Sequence, residues 1–498
     1  MFYTSTRDNS IRVTAAQAIA RGISEEGGLF VPCELPSFSI QKIESMVEMD
    51  YINRAKTVLK EFLTDFSDEE LEYCVNGAYA KEKFSNEKIA PTVNVNGNEN
   101  ILELWHGPTC AFKDMALQLL PYLMTVSAKK TADGKTIVIL VATSGDTGKA
   151  ALEGFKNVEN TKILVFYPVD GVSPMQKLQM TTQEGENVAV CAINGNFDDA
   201  QSAVKSIFTD DEIKAELAKK NMMFSSANSI NWGRLVPQIV YYFSTYCDLV
   251  EQKRISCGDE INVVVPTGNF GNILAAYYAK KMGLPIKKLI CASNSNNVLT
   301  DFINGGEYNK NREFFTTTSP SMDILISSNL ERLLYHISGE NAHLVNELMS
   351  SLSSDGKYTV TDDIREKIGE LFSAGFSDEK GVFETIKEQF ENYHYLCDTH
   401  TAVAVKVYED YVKTSGDDIP TVIDSTASPY KFSKSVLNAL SSDTNDISDE
   451  FKTVDELNKL TGAEVPKPLK ALKDKEVRFK EICSKENMSE MVFKLLNI

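Results

Sequence analysis

The chain has 498 residues and 43% hydrophobic content, enough for about three domains of roughly 150 residues with large apolar cores. Its 51 Lys and Arg against 70 Asp and Glu give a net charge of -19, which disfavours binding to nucleic acid and to anionic membranes. The chain starts without a signal-like apolar run, and no segment reaches the ~20 apolar residues of a membrane span. We therefore predict a cytoplasmic protein.

The sequence of residues 1–95 predicts a mainly helical N-terminal domain. It contains no obvious catalytic or binding motif. Apolar residues recur at helical spacing over residues 43–66 and 71–84. The nine cysteines of the whole chain form no C-x-x-C pair, and their odd number argues against a disulfide framework or a zinc site. We expect reduced, mostly buried thiols and no metal centre.

From residue 98 to about residue 439, short apolar runs alternate with helical stretches. Near-continuous apolar strands separated by helices are typical of a parallel sheet covered on both faces, so the predicted fold class is α/β. Beyond it, residues 441–450 predict a polar linker into C-terminal helices. The predicted strands are residues 136–141, 162–167, 188–193, 261–265, 288–292 and 421–423.

A loop with two glycines, residues 144–148, follows the first of these strands and precedes a helix. Ligands of such sheets lie beyond the carboxyl ends of strands, so the loop suits a carboxylate or a phosphate. A helix cap by Ser144 or Asp146 without any ligand is an equal alternative. A nucleotide P-loop is excluded, because the glycines enclose only two residues and Ala150 stands where a magnesium ligand is needed.

A second glycine loop follows the strand at 261–265. Gly268 and Gly271 allow the backbone to approach an anion closely, and Asn269 and Asn272 add amide donors. There is no G-x-G-x-x-G pattern here, so a dinucleotide-binding fold is not indicated. A turn that needs its glycines only for backbone geometry is the alternative.

Lys113 offers an amine for Schiff-base chemistry. In isolation, a lysine beside an aspartate at a helix start is usually a solvated surface residue. Its neighbours at 111–112 and 115–117 are apolar enough to bury the amine and lower its pKa toward the neutral form. Together with two anion loops, this lysine suggests pyridoxal phosphate (PLP) and a second anionic ligand.

Two further segments carry polar groups. Residues 228–234 place amides, a hydroxyl and the Arg234 guanidinium ahead of an apolar helix, and arginine suits bidentate phosphate binding. A capped helix start with a surface arginine is the alternative. Residues 424–432 offer small hydroxyl side chains for a ligand or for a turn. His106, before a Gly-Pro turn, is interpreted as structural in preference to a substrate donor.

With these motifs in place, the chain resembles the threonine synthase family, among the PLP enzymes related to tryptophan synthase β subunit and serine dehydratase. The resemblance runs from Tyr3-x-Ser5-Thr6-Arg7 through HGPTCAFKD at 106–114 to residues 466–469. It implies a tryptophan synthase β-like fold, with two open sheets covered by helices. It also implies four parts: an N-terminal domain (1–95), a large PLP-binding domain (96–124 and 244–440), a small mobile subdomain (125–243) and a C-terminal linker with helices (441–498).

The resemblance assigns roles residue by residue. Lys113 is implied to hold PLP and to move the substrate proton, and Thr426 to meet the pyridine nitrogen. Asp146 is implied to lie near the cofactor 3-hydroxyl, where many relatives carry Asn. The implied phosphate cup consists of Gly268, Asn269, Phe270, Gly271 and Asn272. The residues implied to bind substrate phosphate and carboxylate are Thr143, Ser144, Thr147, Asn228, Ser229 and Arg234.

The implied activity is that of a lyase acting on phosphates. It converts O-phospho-L-homoserine and water into L-threonine and phosphate by γ-elimination and β-addition of water, the last step of threonine biosynthesis. A PLP phospholyase or dehydratase that releases a keto acid is the alternative enzyme, and a PLP-binding protein without turnover is the alternative from another class. The resemblance further implies a monomer.

Overall fold

The structure is a computed structural model that describes residues 1–131, 134–143, 145–169, 172–195, 197–441 and 449–498. Ser144 and most of the predicted linker at 441–450 lie outside the described residues. Among the residues described, no helix is long and apolar enough to cross a membrane.

Strands and helices alternate along most of the chain. The strands are β1 (Tyr3–Ser5), β2 (Phe30–Pro32), β3 (Thr92–Asn96), β4 (Glu99–Glu103), β5 (Thr136–Ala142), β6 (Thr161–Pro168), β7 (Val188–Asn194), β8 (Met222–Ser225), β9 (Ile261–Pro266), β10 (Ile286–Ser293), β11 (Glu307–Asn309), β12 (Lys357–Thr359), β13 (Phe372–Phe376), β14 (Thr421–Ser425) and β15 (Ile482–Ser484). The helices are α1 (Ala15–Arg21), α2 (Ile40–Glu44), α3 (Tyr51–Phe62), α4 (Asp68–Ala78), α5 (Lys113–Leu117), α6 (Leu120–Thr131), α7 (Asp146–Phe155), α8 (Pro174–Thr181), α9 (Phe197–Thr209), α10 (Asp211–Lys219), α11 (Trp232–Glu251), α12 (Gly271–Lys281), α13 (Val298–Gly305), α14 (Leu330–Ile337), α15 (Ala342–Ser354), α16 (Asp362–Leu371), α17 (Glu379–Tyr393), α18 (Thr399–Ser415), α19 (Ser433–Leu440), α20 (Glu450–Thr461), α21 (Lys467–Lys470) and α22 (Met488–Leu496).

The larger sheet has the strand order β13-β10-β9-β14-β4-β3. Its neighbouring strands are parallel except for β3 and β4, which pair antiparallel at one edge. The central strand β9 is buried along its whole length, and its side chains alternate between two cores. Val263 and Val265 pack with residues of α11 and α12, whereas Val264 packs with residues of α18. Helices therefore cover both faces, as a buried parallel sheet requires.

The smaller sheet has the order β15-β7-β6-β5-β8, with every pair parallel. Its edge strand β15 comes from the C-terminal region, where the sequence predicted a linker and helices. Cys483 of β15 is buried, and it packs in one apolar cluster with Cys191 of β7 and Val492 of α22. The C-terminal region thus completes one side of this sheet.

The α/β fold class is confirmed, and the strands predicted from apolar runs correspond to β5, β6, β7, β9, β10 and β14. The N-terminal region contains α1 to α4, together with an antiparallel pair, β1 and β2, that was not predicted. The cysteines are free thiols and most are buried, as predicted. The four-part division of the chain stays a prediction.

Candidate active site

The predicted site residues follow the carboxyl ends of neighbouring parallel strands. In the larger sheet, β9, β14 and β4 are adjacent, and they lead to the Gly268 loop, to Thr426 and to the segment before Lys113. In the smaller sheet, β5 and β8 are adjacent, and they lead to Thr143 and to residues 228–234. Because open α/β sheets bind ligands at this edge, the topology groups the predicted residues at the two places where a ligand is expected.

Lys113 begins α5, and its side chain is only 11% exposed. Its Nζ lies 3.8 Å from Asp146 Oδ2 and donates a 3.3 Å hydrogen bond to Ser321 Oγ. Burial lowers the pKa of Lys113 to about 8, although Asp146 opposes this shift; the cations Lys431 and Arg234 add to it. The amine is therefore neutral in a substantial fraction of molecules near pH 8, as a nucleophile or base requires.

Asp146 begins α7 and is buried beside a cation. Lys431 Nζ lies 2.6 Å from Asp146 Oδ1, and Gln176 Nε2 donates to the same oxygen at 3.0 Å. Ser321 Oγ donates to Oδ2 at 3.4 Å. Burial alone would raise the pKa of Asp146, but the charges of Lys431 and Lys113 hold it well below its usual range. The carboxylate is therefore ionised.

The Gly268 loop leads from β9 into α12 with an open helix start. Phe270 precedes the helix with a φ of 63° and caps it with no side-chain hydrogen bond, so the first backbone N-H groups are available to an anion. Gly268 is needed for a close approach, because a Cβ there would lie 2.7 Å from Ser321 O. Asn269 is exposed on this loop. The loop geometry suits a phosphate.

The Asn272 side chain corrects one detail of the sequence interpretation, which counted its amide as an anion donor. Asn272 Nδ2 donates to Asp424 Oδ2 at 2.9 Å, and Asn272 Oδ1 accepts from the hydroxyls of Tyr241 and Tyr242. The side chain is thus committed to the protein interior. Asn272 can contribute its backbone N-H, at the first turn of α12, to a bound anion.

Thr426 lies directly after β14 and is buried. Its carbonyl accepts the N-H of Phe112 at 2.8 Å, and Ala111 forms an antiparallel bridge with Ala427. These contacts fix the backbone of Thr426 next to the residue that precedes Lys113. The predicted pyridine ligand and the predicted Schiff-base lysine are therefore neighbours.

The Thr143 side chain stabilises the loop after β5 through two hydrogen bonds. Its Oγ1 accepts the N-H groups of Gly145 at 3.0 Å and Gly148 at 2.9 Å. Gly145 has a φ of 137°, and a Cβ there would lie 2.5 Å from a glutamine side chain, so glycine is required. Thr147 is half-buried on the first turn of α7. Ser144 is outside the described residues.

Arg234 lies in the first turn of α11 and is 3% exposed. Its Nη1 donates to Ala227 O at 2.6 Å, and its Nε has no hydrogen-bond partner among the residues described. Within the described part of the chain no carboxylate pairs with it, and burial lowers the pKa of Arg234 to about 10. A buried guanidinium without an anion favours an anionic ligand, because a buried charge is costly until it is paired.

Asn228 and Ser229 are half-buried just before α11. Asn329 Nδ2 donates to Ser229 Oγ at 3.3 Å and to Asn269 O at 3.0 Å. Arg332 in turn donates to the side-chain oxygen of Asn329. One buried amide therefore joins the predicted substrate segment to the predicted phosphate cup.

Three site residues, Ser321, Lys431 and His400, were missed in the sequence. Ser321 donates its N-H to His400 Nε2 at 3.2 Å, and His400 Nδ1 donates to Asp398 at 2.7 Å. Lys431 stands in the segment 424–432, which had been noted only for its hydroxyl side chains. Ser321 and His400 carry no local motif and reach the site through tertiary structure.

His106 is satisfied by its neighbours. Its Nδ1 lies 2.9 Å from Ser85 Oγ, its Nε2 lies 2.8 Å from Glu103 Oε2, and its ring stacks on Trp105 with centroids 4.3 Å apart. Both ring nitrogens are used within the fold, which agrees with the structural interpretation.

Comparisons with known proteins give matches along most of the chain. Three family descriptions match: "Threonine synthase N terminus" over residues 2–79, "Pyridoxal-phosphate dependent enzyme" over 101–422 and "Threonine synthase, C-terminal" over 401–492. Threonine synthase of Pseudomonas aeruginosa is 40% identical over 88% of this chain and 90% of its own. Human threonine synthase-like 1 is 42% identical over 85% of this chain, which spans 58% of that relative's length. The PLP-bound threonine synthase structure from Brucella melitensis has a TM-score of 0.87 at 36% identity and covers 99% of both chains.

Proposed function

The chain belongs to the threonine synthase family of pyridoxal-phosphate-dependent enzymes, and from this premise we propose that it converts O-phospho-L-homoserine and water into L-threonine and inorganic phosphate. The family, the fold and the PLP cofactor that the sequence predicted are confirmed. The proposed reaction is a γ-elimination of phosphate followed by β-addition of water. It would complete threonine biosynthesis.

The residues present fit PLP. Lys113 provides a buried amine with a pKa of about 8, and the open start of α12 behind Gly268 provides donors for a phosphate. Thr426 offers a neutral hydroxyl at the end of β14 for the pyridine nitrogen. When bound, PLP supplies an electron sink that acidifies substrate C-H bonds.

In this proposal Lys113 moves the substrate protons. An amine with a pKa of about 8 populates its neutral and protonated forms near neutral pH, so it takes up a proton and returns it at low cost. Ser321 Oγ, at 3.3 Å, orients the amine, and the ionised Asp146 stabilises its protonated form. The chain thus provides one base with two fixed neighbours.

The observation that carries the proposal is the buried guanidinium of Arg234, which pairs with no carboxylate in the part of the chain that the structure describes. Its charge acts on the Lys113 amine, so the two groups belong to one electrostatic site. A phosphate bound by Arg234 departs with its charge already stabilised by a preorganised donor. The residues proposed to assist are Thr143, Ser144, Thr147, Asn228 and Ser229. A dehydratase acting on an unphosphorylated amino acid would present only a carboxylate, and no phosphate, to this cation.

The alternative reaction, release of a keto acid, is not favoured by the comparisons. The Pseudomonas relative, matched over nearly its whole length, is named a threonine synthase. We propose further that the enzyme acts in the cytoplasm as a monomer on this small-molecule substrate. A net charge of -19 supports this setting, since it disfavours attachment to anionic membranes.

A product assay tests the proposal. The purified protein is incubated with PLP and O-phospho-L-homoserine, and amino acids, phosphate and keto acids are quantified together. We expect threonine and phosphate in equal amounts. Phosphate with an equal amount of keto acid would support the phospholyase instead, and PLP binding without any product would support a binding protein.

A further inference from the structure

Lys431 is a buried cation with no part in the proposed reaction so far. It lies in the 3-10 turn Pro429–Phe432 after β14, and its side chain is fully buried. Its Nζ lies 2.6 Å from Asp146 Oδ1 and donates to Thr109 O at 3.0 Å. A buried ammonium is costly unless it is paired, so Asp146 is the contact that stabilises Lys431 in this place.

Asp146 joins Lys431 to Lys113. One carboxylate oxygen faces Lys431 at 2.6 Å, and the other lies 3.8 Å from Lys113 Nζ. The Ser321 hydroxyl accepts from Lys113 and donates to the same second oxygen. A continuous series of contacts therefore connects Lys431, Asp146 and Lys113.

We propose that Lys431 is a positioning residue that neutralises Asp146 and thereby keeps the Lys113 amine able to lose its proton. Without Lys431, the buried carboxylate would have Lys113 as its remaining cationic partner and would hold that amine in its protonated form. The inference rests on the proposed role of Lys113 as the cofactor lysine.

The charges that face Lys113 come from four elements. They are Asp146 on α7, Lys431 on the 3-10 turn, Arg234 on α11 and Asp114 beside it on α5. Burial lowers the pKa of Lys113 to about 8, Asp146 and Asp114 raise it, and Lys431 and Arg234 lower it. Burial raises the pKa of Asp114 to about 6, and its carboxylate already accepts two hydrogen bonds from its own loop. Replacing Lys431 and Asp146 therefore isolates the effect of this ion pair on the pKa of Lys113.

The test measures the pH dependence of Lys113 modification by trinitrobenzenesulfonate in the full chain freed of cofactor, read by peptide mass spectrometry. The parent should show a midpoint near pH 8. Lys431→Met should raise the midpoint by about 1 pH unit, because a neighbouring cation is lost, and Asp146→Asn should lower it by about 1 unit, because an anion is lost. The double variant should return close to the parental midpoint.

Two variants serve as controls. Lys431→Arg keeps the charge and should keep the midpoint within about 0.3 unit. If the Met variant does not fold, it is replaced by Lys431→Gln, which is neutral and can still donate a hydrogen bond to Asp146. Lys149→Met removes another buried lysine, one that pairs with Glu153 on α7 at 3.0 Å, and should leave the midpoint unchanged. The role of Lys431 would be overturned if Lys431→Met and Asp146→Asn shifted the midpoint in the same direction. It would also be overturned if Lys431→Met left the midpoint unshifted. If the Met variant is unfolded, an unshifted midpoint in Lys431→Gln would overturn it.

Borohydride capture of PLP on the holoenzyme separates this inference from the proposed function. Absence of label on Lys113 refutes the cofactor role of that lysine and, with it, the inference. Label on Lys113 together with unshifted midpoints refutes only the role of Lys431. Label together with opposite shifts supports both.

Discussion

Lys113 and Arg234 differ in how burial affects their charge. Burial lowers the pKa of Lys113 to about 8 and that of Arg234 to about 10. Near neutral pH the guanidinium therefore keeps its charge while the amine exchanges its proton readily. A permanent cation suits the leaving phosphate, and a titrating amine suits proton transfer.

Replacing Lys113 by Ala should abolish covalent attachment of PLP. The open start of α12 and the Gly268 loop remain, so the variant should still bind the cofactor weakly without a covalent link. Borohydride reduction followed by peptide mapping is the measurement. Labelling of the variant to the parental extent would show that another residue carries the cofactor.

Replacing Arg234 by Lys should weaken substrate binding while PLP content stays constant. The loss of one bidentate, charge-assisted contact costs about 1.5 to 3 kcal/mol. Titration with a nonreactive phosphohomoserine analogue gives the affinity, and cofactor absorbance gives the PLP content. Parental affinity in both Arg234→Lys and Arg234→Ala would remove Arg234 from the phosphate site.

At this scale, the sequence predicted the residues that lie in recognisable motifs. Lys113 and the Gly268 loop are identified by their immediate neighbours. Lys431 is 285 positions from Asp146, and only the packing of β14 beside β4 brings its turn toward the site. That Arg234 meets no carboxylate among the described residues was also not predictable, since sequence patterns do not show which partners a buried side chain lacks.

Three elements meet at Asp424 of β14. Its Oδ2 accepts from Tyr242 of α11 at 2.7 Å and from Asn272 of α12 at 2.9 Å. Its Oδ1 has no hydrogen-bond partner within the described ranges of the chain. This carboxyl therefore connects the middle of α11, which begins at the Arg234 turn, and the first turn of α12, which begins at the proposed phosphate cup, to the sheet. Burial raises the pKa of Asp424 to about 7, against the two hydrogen bonds, which lower it.

Asp424→Asn should therefore remove a pH dependence of stability. Between about pH 4 and pH 7 the carboxyl is ionised in the unfolded chain and still protonated in the folded one, so the free energy of unfolding of the parent falls as pH rises. Relative to the variant, we expect a loss of about 1 to 4 kcal/mol across this window. Urea denaturation at intervals from pH 4.5 to pH 7.5 measures it. A constant difference between the two proteins would contradict the raised pKa.

Among the strands, those that form apolar runs between turn signals were predictable. Six of them, β5, β6, β7, β9, β10 and β14, were predicted within one or two residues. The three-residue strands were not predicted, and neither were β3, β4, β8 and β13. The strand β15 follows Lys480 and Glu481, and its register with β7 depends on contacts across 292 positions between Cys191 and Cys483.

At the scale of the whole molecule, the proposed ligand groups divide between the two sheets. Lys113, Gly268 and Thr426 follow strands of the larger sheet, whereas Thr143 and residues 228–234 follow strands of the smaller one. Movement of the smaller part, proposed as residues 125–243, would bring substrate donors toward the cofactor. Closure of this kind excludes competing water from a reactive intermediate.

Hydrogen exchange with and without a nonreactive phosphohomoserine analogue tests this movement. The analogue binds groups on both parts, so it should favour the closed arrangement and slow exchange at residues 145–148 and 228–234. The core strand β9 serves as an internal control and should not change. Unaltered exchange in both loops at saturating analogue would count against closure.

The central claim, elimination of phosphate followed by water addition, is tested most directly by the reaction of O-phospho-L-homoserine in oxygen-18 water. Elimination breaks the bond between carbon and oxygen, so threonine should carry the heavy oxygen in its β-hydroxyl and the released phosphate should carry none. Mass spectrometry of both products gives the answer. Heavy oxygen in the phosphate, with homoserine as its partner product, would mean hydrolysis at phosphorus and would contradict the account.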